Sequence, residues 1–191
     1  MVEERCRSGD LRGALEATLK HFGPEVNGFL ARASGDETLA AEAFSQLCED
    51  ICYGLAGFEW ASSLRTWVYV LARNALCRVR KREGRARRDL PLSLAEISSI
   101  EAHVRTATLP FLRTETRSAM DRLRDELDPA DRELLILRVD RDLPWDEVAR
   151  VTLGRMDADE LTIKRESARL RQRFQSLKKA LRQRARDEGL L

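Results

Sequence analysis

Apolar side chains recur every three to four residues along most of the chain, a spacing that is typical of amphipathic α-helices. Asp10 is a candidate cap for the first of these helices. The pair Gly23-Pro24 is predicted to end that helix and to begin a second one, which ends near Ser34-Gly35. A third helix is predicted from about Thr38 to Leu55, with a wide apolar stripe.

A loop is predicted over Gly57–Ser63, and a fourth helix follows it. Ser62 or Ser63 is the candidate cap of this helix, which is predicted to run from Leu64 to about Arg82. Away from its apolar face, one further line of side chains stands at four-residue spacing: Arg65, Tyr69 and Arg73. We therefore expect these three side chains to lie outside the core.

The helical pattern lapses over residues 84–115, where a basic stretch passes into a turn-forming one. This stretch is interpreted as a linker between a domain at 1–83 and a second domain at 116–191. In the second domain, helices are predicted near Thr116–Leu127, after Asp128-Pro129, after Asp142-Leu143-Pro144 and roughly over Ser167–Arg186. The predicted fold class is therefore all-α, with two small helical domains joined by a linker.

Charge is strongly segregated along the chain, although the formal net charge is only +2. Residues 36–59 contain six acids and no Lys or Arg, whereas residues 78–88 contain seven bases and one acid, and residues 164–186 ten bases and one acid. Two basic stretches favour one polyanion that is bound at two places, and the acidic stretch favours a different partner. The alternative interpretation is that all three are solvated helix faces.

Several classes of protein do not fit the sequence. A run of eighteen apolar residues and an N-terminal signal pattern are both missing, so we expect a cytoplasmic protein without membrane insertion. Phosphate-binding, metalloprotease and serine-hydrolase motifs are missing too, and neither His21 nor His103 neighbours a candidate nucleophile, so we expect no enzyme and no cofactor. Cys48 and Cys52 stand four apart, as a metal pair could, but small buried hydrophobes are the favoured interpretation.

The segment FEWASSLRTWVYVLARNALCRVRKRE resembles the promoter-melting segment of extracytoplasmic-function (group four) sigma factors of bacterial RNA polymerase, which belong to the sigma-70 superfamily. The family pattern is F, a short loop, S-[FL]-R-x-W-[LV]-x-x-[IL]-A-R-N and a basic end. Eight residues match it without a gap: Phe58, Ser63, Leu64, Arg65, Trp67, Ala72, Arg73 and Asn74. Upstream, LAAEAFSQLCEDI is similar to the family's acidic helix.

The second domain is similar to the family's helix-turn-helix domain. The segment LDPADRELLILRVDRDLPWDEVARV resembles the first part of that domain's pattern. The last helix keeps the family's apolar spacing at Leu170, Phe174, Leu177 and Leu181. Between Val148 and Leu170, however, the chain is about eleven residues longer than the usual turn. The extra segment GRMDADELTIKRE must loop out or extend one of the two helices.

The resemblance implies three sets of contacts. The −10 promoter element would be melted and held by Trp60, Ser62, Ser63, Arg65, Trp67, Tyr69, Arg73, Asn74, Arg78 and Arg80. The −35 element would be read in the major groove by the N-terminal part of the last helix, with Arg169, Arg171, Gln172, Arg173 and Gln175. The polymerase would be bound by the acidic face of the third helix, with Glu42, Ser45, Gln46, Glu49 and Asp50. Because core packing is the favoured interpretation of Trp67, the loop residue Trp60 is the better candidate for stacking on a base.

A sigma factor that directs promoter-specific initiation is therefore the predicted function. Its partners would be core RNA polymerase and promoter DNA, and an anti-sigma factor is a candidate third partner. The main alternative is a helix-turn-helix transcription regulator that acts without polymerase. A further alternative is a protein-interaction module with incidental basic tails, and a stable complex with core polymerase would distinguish the first function from both others.

Overall fold

The computed structural model describes residues 2–83 and 119–188. Over these residues every regular element is a helix, so the all-α prediction is confirmed. Among the described helices, none has both the length and the apolar character that crossing a membrane requires. The chain divides into two compact units, Met1–Arg113 and Thr114–Leu191. The predicted linker, residues 84–115, lies outside the described residues, and the predicted domain bounds stay a prediction.

The described part of the first unit consists of helices and short connections. Its helices are α1 (Val2–Arg7), α2 (Leu11–Ser34), α3 (Glu37–Gly54) and α4 (Leu64–Glu83), with a short 3-10 turn at Leu55–Gly57. Helices α2, α3 and α4 pack against one another around fully buried side chains: Phe29, Leu30, Phe44, Leu47, Ile51 and Leu76. Cys48 lies in the same core, as expected for a small buried hydrophobe, whereas Cys52 is half-buried.

Side-chain caps begin three of these helices. The Asp10 carboxylate accepts a hydrogen bond of 2.9 Å from a backbone N–H in the first turn of α2. Asp36 accepts from two backbone N–H groups at the start of α3, at 2.7 and 3.0 Å. The Ser63 Oγ accepts from the Thr66 N–H at 3.1 Å, so Ser63 is the cap of α4. Each such cap contributes about 1 kcal/mol and fixes where a helix begins.

Helix α2 is continuous, so the prediction that Gly23-Pro24 would divide it is wrong. Proline lacks the N–H of a helical hydrogen bond, and in a helix interior it costs about 3 kcal/mol. Residues on both sides of Pro24 are nevertheless buried, among them Leu19, Val26 and Phe29. Because each large apolar side chain contributes about 1.5–3 kcal/mol when it is fully buried, the packing of both halves outweighs the proline.

The described part of the second unit contains α5 (Ala119–Asp125), α6 (Pro129–Leu135), α7 (Trp145–Leu153) and α8 (Glu160–Asp187). A wider helical turn at Ile136–Asp140 continues α6. Asp128 caps α6 by accepting from the N–H groups of Ala130 and Asp131, as predicted for the Asp128-Pro129 pair. Before α7, in contrast, the residue at the cap position is Pro144, and Asp142 accepts a hydrogen bond from Arg138 instead.

Helix α8 begins at Glu160, seven residues before the predicted start at Ser167. Gly154, in the left-handed conformation at φ 68°, ends α7. Asp159 then caps α8, accepting from the N–H of Thr162 at 2.9 Å and from its hydroxyl at 2.7 Å. The extra segment therefore forms the turn of residues 154–159 and adds two helical turns to the start of α8.

Candidate nucleic-acid interface

Three aromatic rings connect the loop after α3 to helix α4. The ring of Phe58 lies between those of Trp60 and Trp67, with centroid distances of 4.8 and 4.9 Å. Trp67 is 6% exposed, which agrees with core packing as its favoured interpretation. Its indole lies so close to α3 that a Cβ at Gly54 would stand 3.0 Å from it. The innermost ring is thus fixed by the core, and the outermost, Trp60, is half-buried at the surface.

Trp60 has a strained backbone. Its φ of 57° lies in the left-handed region, which a bulky residue rarely adopts and which costs on the order of 1–3 kcal/mol. Within the unit, the Trp60 indole contacts the ring of Phe58. Ser62 and Ser63 follow directly, and the hydroxyl of Ser62 donates to the Ser63 carbonyl at 3.2 Å. The loop therefore holds a partly exposed indole in a strained conformation next to small hydroxyl groups.

Arg65 and Tyr69 fasten α4 to α2. Glu25 Oε1 accepts hydrogen bonds from the Arg65 guanidinium and, at 2.9 Å, from the Tyr69 hydroxyl. Tyr69 is fully buried, with its ring 5.3 Å from that of Phe29. The prediction that Tyr69 shares a face outside the core with Arg65 and Arg73 is therefore wrong. Four-residue spacing placed Tyr69 correctly beside Arg65 but could not reveal that α2 covers both.

Further along α4, two more predicted DNA contacts are held within the unit. Arg78 forms an ion pair with Asp50 of α3. Arg80 donates a hydrogen bond of 2.7 Å to the carbonyl of Ala33 in the last turn of α2, where a cation is favoured by the helix dipole. Arg73 and Asn74 are half-buried on the same helix. Arg78 and Arg80 of the basic run in α4 thus each have a structural partner, whereas Lys81 and Arg82 are exposed.

The five residues of the predicted acidic face lie on one side of α3, and their side chains are half-buried: Glu42, Ser45, Gln46, Glu49 and Asp50. The Gln46 amide donates to Glu49 at 3.1 Å and to Asp50 at 3.4 Å, which ties the middle of this face together. Tyr53, one turn beyond Glu49, extends the face and is 74% exposed. Sequence reasoning missed Tyr53, although its spacing of four from Glu49 was a usable signal.

Three of the predicted −35 residues contact neighbours within the second unit. Arg173 forms ion pairs with Asp128 and Asp131, and the hydrogen bond to Asp131 raises the pKa of Arg173. The Arg171 guanidinium lies 5.9 Å from the centre of the Trp145 ring, and Arg169 pairs with Glu166. Gln172 and Gln175 are exposed.

The five predicted −35 residues also stand about three to four turns into α8, so the prediction that they form its N-terminal part is wrong. Ile163 of the added turns and Ser167 directly after them face inward, and the Ser167 hydroxyl donates to Asp146 at 2.8 Å. The side chains exposed at the start of α8 are Glu160, Leu161, Lys164, Arg165 and Ala168, and Lys164 forms an ion pair of 2.6 Å with Glu160 of the same helix. Lys164 and Arg165 could have been found from sequence only with the correct start of the helix.

The described residues contain no group of three or more side chains placed to hold a metal ion. Comparison with protein-family models, with curated proteins and with solved structures finds no match to this chain.

Proposed function

We propose that this chain is a sigma factor of the extracytoplasmic-function group, which binds core RNA polymerase and directs promoter-specific initiation. In this proposal the two units are the family's two domains, joined by the linker. The first binds polymerase and melts the −10 element, and the second reads the −35 element. The chain acts in the cytoplasm and carries no catalytic activity of its own, because the polymerase supplies the chemistry.

The observation that supports the proposal most is the strained, partly exposed Trp60 at the outer end of the Phe58–Trp67 ring series. Backbone strain of this kind persists where the surrounding structure enforces it, and it is concentrated at functional sites. A half-exposed indole can stack on an unpaired base, which is worth about 1–3 kcal/mol. Ser62 and Ser63 can bond the edge of the same base. This arrangement suits the capture of a flipped base of the −10 element.

For the second unit, we propose that α7, the turn of residues 154–159 and α8 form the helix-turn-helix. The first residues of such a recognition helix contact base edges in the major groove. Lys164 and Arg165 then replace Arg171 and Arg173 as the side chains that reach the −35 element, because they are exposed near the start of α8 and the partner of Lys164, Glu160, lies on α8 itself. Arg171 and Arg173 orient α8 through Trp145 and Asp128 instead.

We assign the acidic face of α3, including Tyr53, to the docking of core polymerase. Its charge is opposite to that of both proposed DNA surfaces, and a single DNA ligand does not explain such a difference. Tyr53 is exposed on this face, and tyrosine is enriched at protein interfaces, where aromatic side chains supply much of the binding energy. An anti-sigma factor would compete for a surface of this kind.

Gel filtration with core RNA polymerase tests the proposal. The full chain should elute with the polymerase, and the double variant Glu42→Lys with Glu49→Lys should not. A matched control reverses two exposed acids outside α3, Glu4→Lys with Glu16→Lys, and should still form the complex. A chain that does not bind polymerase yet recognises a specific duplex by itself would support the polymerase-independent regulator instead.

A further inference from the structure

One ion pair joins the two proposed surfaces of the first unit. Asp50 belongs to the acidic face of α3, and Arg78 lies in the basic end of α4, which the resemblance assigns to the −10 element. The Arg78 guanidinium contacts Asp50 Oδ2, and the two side chains keep 42% and 22% of their surface exposed. Both groups can therefore be reached by other molecules without unfolding the unit.

The Arg78–Asp50 pair differs from the contacts described above for Arg65 and Arg80. The partner of Arg65, Glu25, lies on α2 and also binds the buried Tyr69, and the partner of Arg80 is a backbone carbonyl. Neither of those two partners lies on the α3 face. Asp50, in contrast, lies on it next to Glu49, and Gln46 contacts both carboxylates.

We propose that Asp50 is an exchangeable counter-ion, which holds Arg78 away from DNA in the unbound protein and releases it when a partner cation occupies the α3 face. This inference rests on the proposed function, in which that partner is core polymerase. A lysine or arginine of the partner competes with Arg78 for one carboxylate. Once released, Arg78 has its full charge available for a phosphate, where each contact of this kind adds to affinity and to its salt dependence.

The exchange makes two binding events favour each other. Because coupling between two sites is reciprocal, a partner that frees Arg78 strengthens DNA binding, and DNA that engages Arg78 frees Asp50 for the partner by the same factor. Partly exposed ion pairs are weak, so the expected coupling is about two- to fivefold. A coupling of about two- to fivefold makes DNA binding more favourable after the partner has bound, but it prevents neither partner binding nor DNA binding.

Fluorescence anisotropy of the full chain with a short labelled duplex, measured without polymerase over a range of KCl concentrations, tests the exchange. Asp50→Asn should tighten DNA binding about two- to fivefold more than Glu49→Gln does. The two variants remove one negative charge each at neighbouring positions, but only Asp50 contacts Arg78. In an Arg78→Gln background, the additional gain of Asp50→Asn should disappear.

A second comparison does not depend on changing Asp50. In the unbound protein, Arg78→Gln should weaken DNA binding less than Arg82→Gln, because Arg82 is exposed on the same helix. With saturating core polymerase, the two arginine variants should lose affinity to a similar extent. Thermal unfolding of each variant checks that the helical unit is intact.

Equal effects of Asp50→Asn and Glu49→Gln, or a gain that persists in Arg78→Gln, would overturn the exchange. So would a loss from Arg78→Gln in the unbound protein that equals the loss from Arg82→Gln. The measurements on the unbound protein need no polymerase, so they decide whether Asp50 holds Arg78 away from DNA even if the chain fails to bind polymerase. A chain that binds polymerase while showing none of these differences keeps the proposed function and loses this inference.

Discussion

Replacing Trp60 by alanine tests the proposed base capture most directly. The substitution removes an indole that is half-buried and whose ring contact within the unit is with Phe58, at 4.8 Å. Loss of one aromatic pair of this kind costs about 0.5–1.5 kcal/mol of stability. Loss of a base stacked on the indole costs about 1–3 kcal/mol, which corresponds to a five- to hundredfold fall in strand opening. The effect on opening should therefore exceed the effect on folding.

Permanganate reactivity of unpaired thymines near the start site, measured with the polymerase complex, reports strand opening. Trp60→Ala should open the promoter less while its polymerase binding stays unchanged. Trp60→Gly is the matched control, since glycine adopts a φ of 57° without strain but also lacks the ring. The glycine variant should be as defective as the alanine variant, and Trp60→Phe should recover part of the opening. Base stacking by the indole would be refuted if Trp60→Ala opened the promoter as well as the wild type does, or if Trp60→Gly restored the opening that Trp60→Ala lost.

Two further predictions concern the second unit. Arg165→Ala should weaken duplex binding and lower its salt slope by about one, without changing the melting temperature of the protein. Arg173→Ala should instead lower the free energy of unfolding by about 1 kcal/mol, because it breaks the ion pairs with Asp128 and Asp131. The reverse pattern would contradict the reassignment. The hydrogen bonds that the Thr162 hydroxyl and N–H donate to Asp159 lower the pKa of Asp159, so the charged cap stabilises α8 above the ordinary aspartate pKa and loses this contribution as the pH falls through the lowered value. In urea unfolding, the advantage of the wild type over Asp159→Asn should therefore shrink between pH 6 and pH 3, and an advantage that does not change would show that the cap is not ionised.

Local signals predicted the starts of helices well. Asp10, Ser63 and Asp128 are caps in the structure because a short side-chain acceptor satisfies N–H groups that a helix leaves unpaired at its start. The same kind of signal precedes α8, where Asp159 stands before Glu160. The predicted start at Ser167 lies seven residues after the observed one, and of the two outcomes left open for the extra segment, a loop or a longer helix, its second half forms the longer helix.

Pro24 illustrates where local signals fail. A proline after a glycine is a strong end signal when nothing else holds the helix. In α2, buried side chains on both sides of Pro24 hold one continuous helix against α3 and α4. Packing between distant segments is the quantity that a local pattern leaves out, and here it decided the outcome.

The residues of the candidate site were easier to predict than their contacts. Sequence spacing brought Trp60, Ser62, Ser63 and Arg65 to one end of α4. It could not indicate that Arg65 meets Glu25, which lies forty residues earlier, or that Arg173 meets Asp128 across forty-five residues. Partners at such separations depend on how helices cross, and crossing is set by the packing of apolar faces that carry no information about charge.

The contacts of the arginines also change what the charge pattern means. Residues 78–88 read as a basic run, but Arg78 is paired with Asp50 and Arg80 with the end of α2. A paired cation releases fewer counter-ions from DNA than an unpaired one, since part of its charge is already neutralised. The DNA affinity of the unbound chain should therefore be lower than the count of basic residues suggests. If the α3 face accepts a partner cation at Asp50, that affinity increases where the partner is bound, and promoter contact becomes a property of the complex rather than of the chain alone.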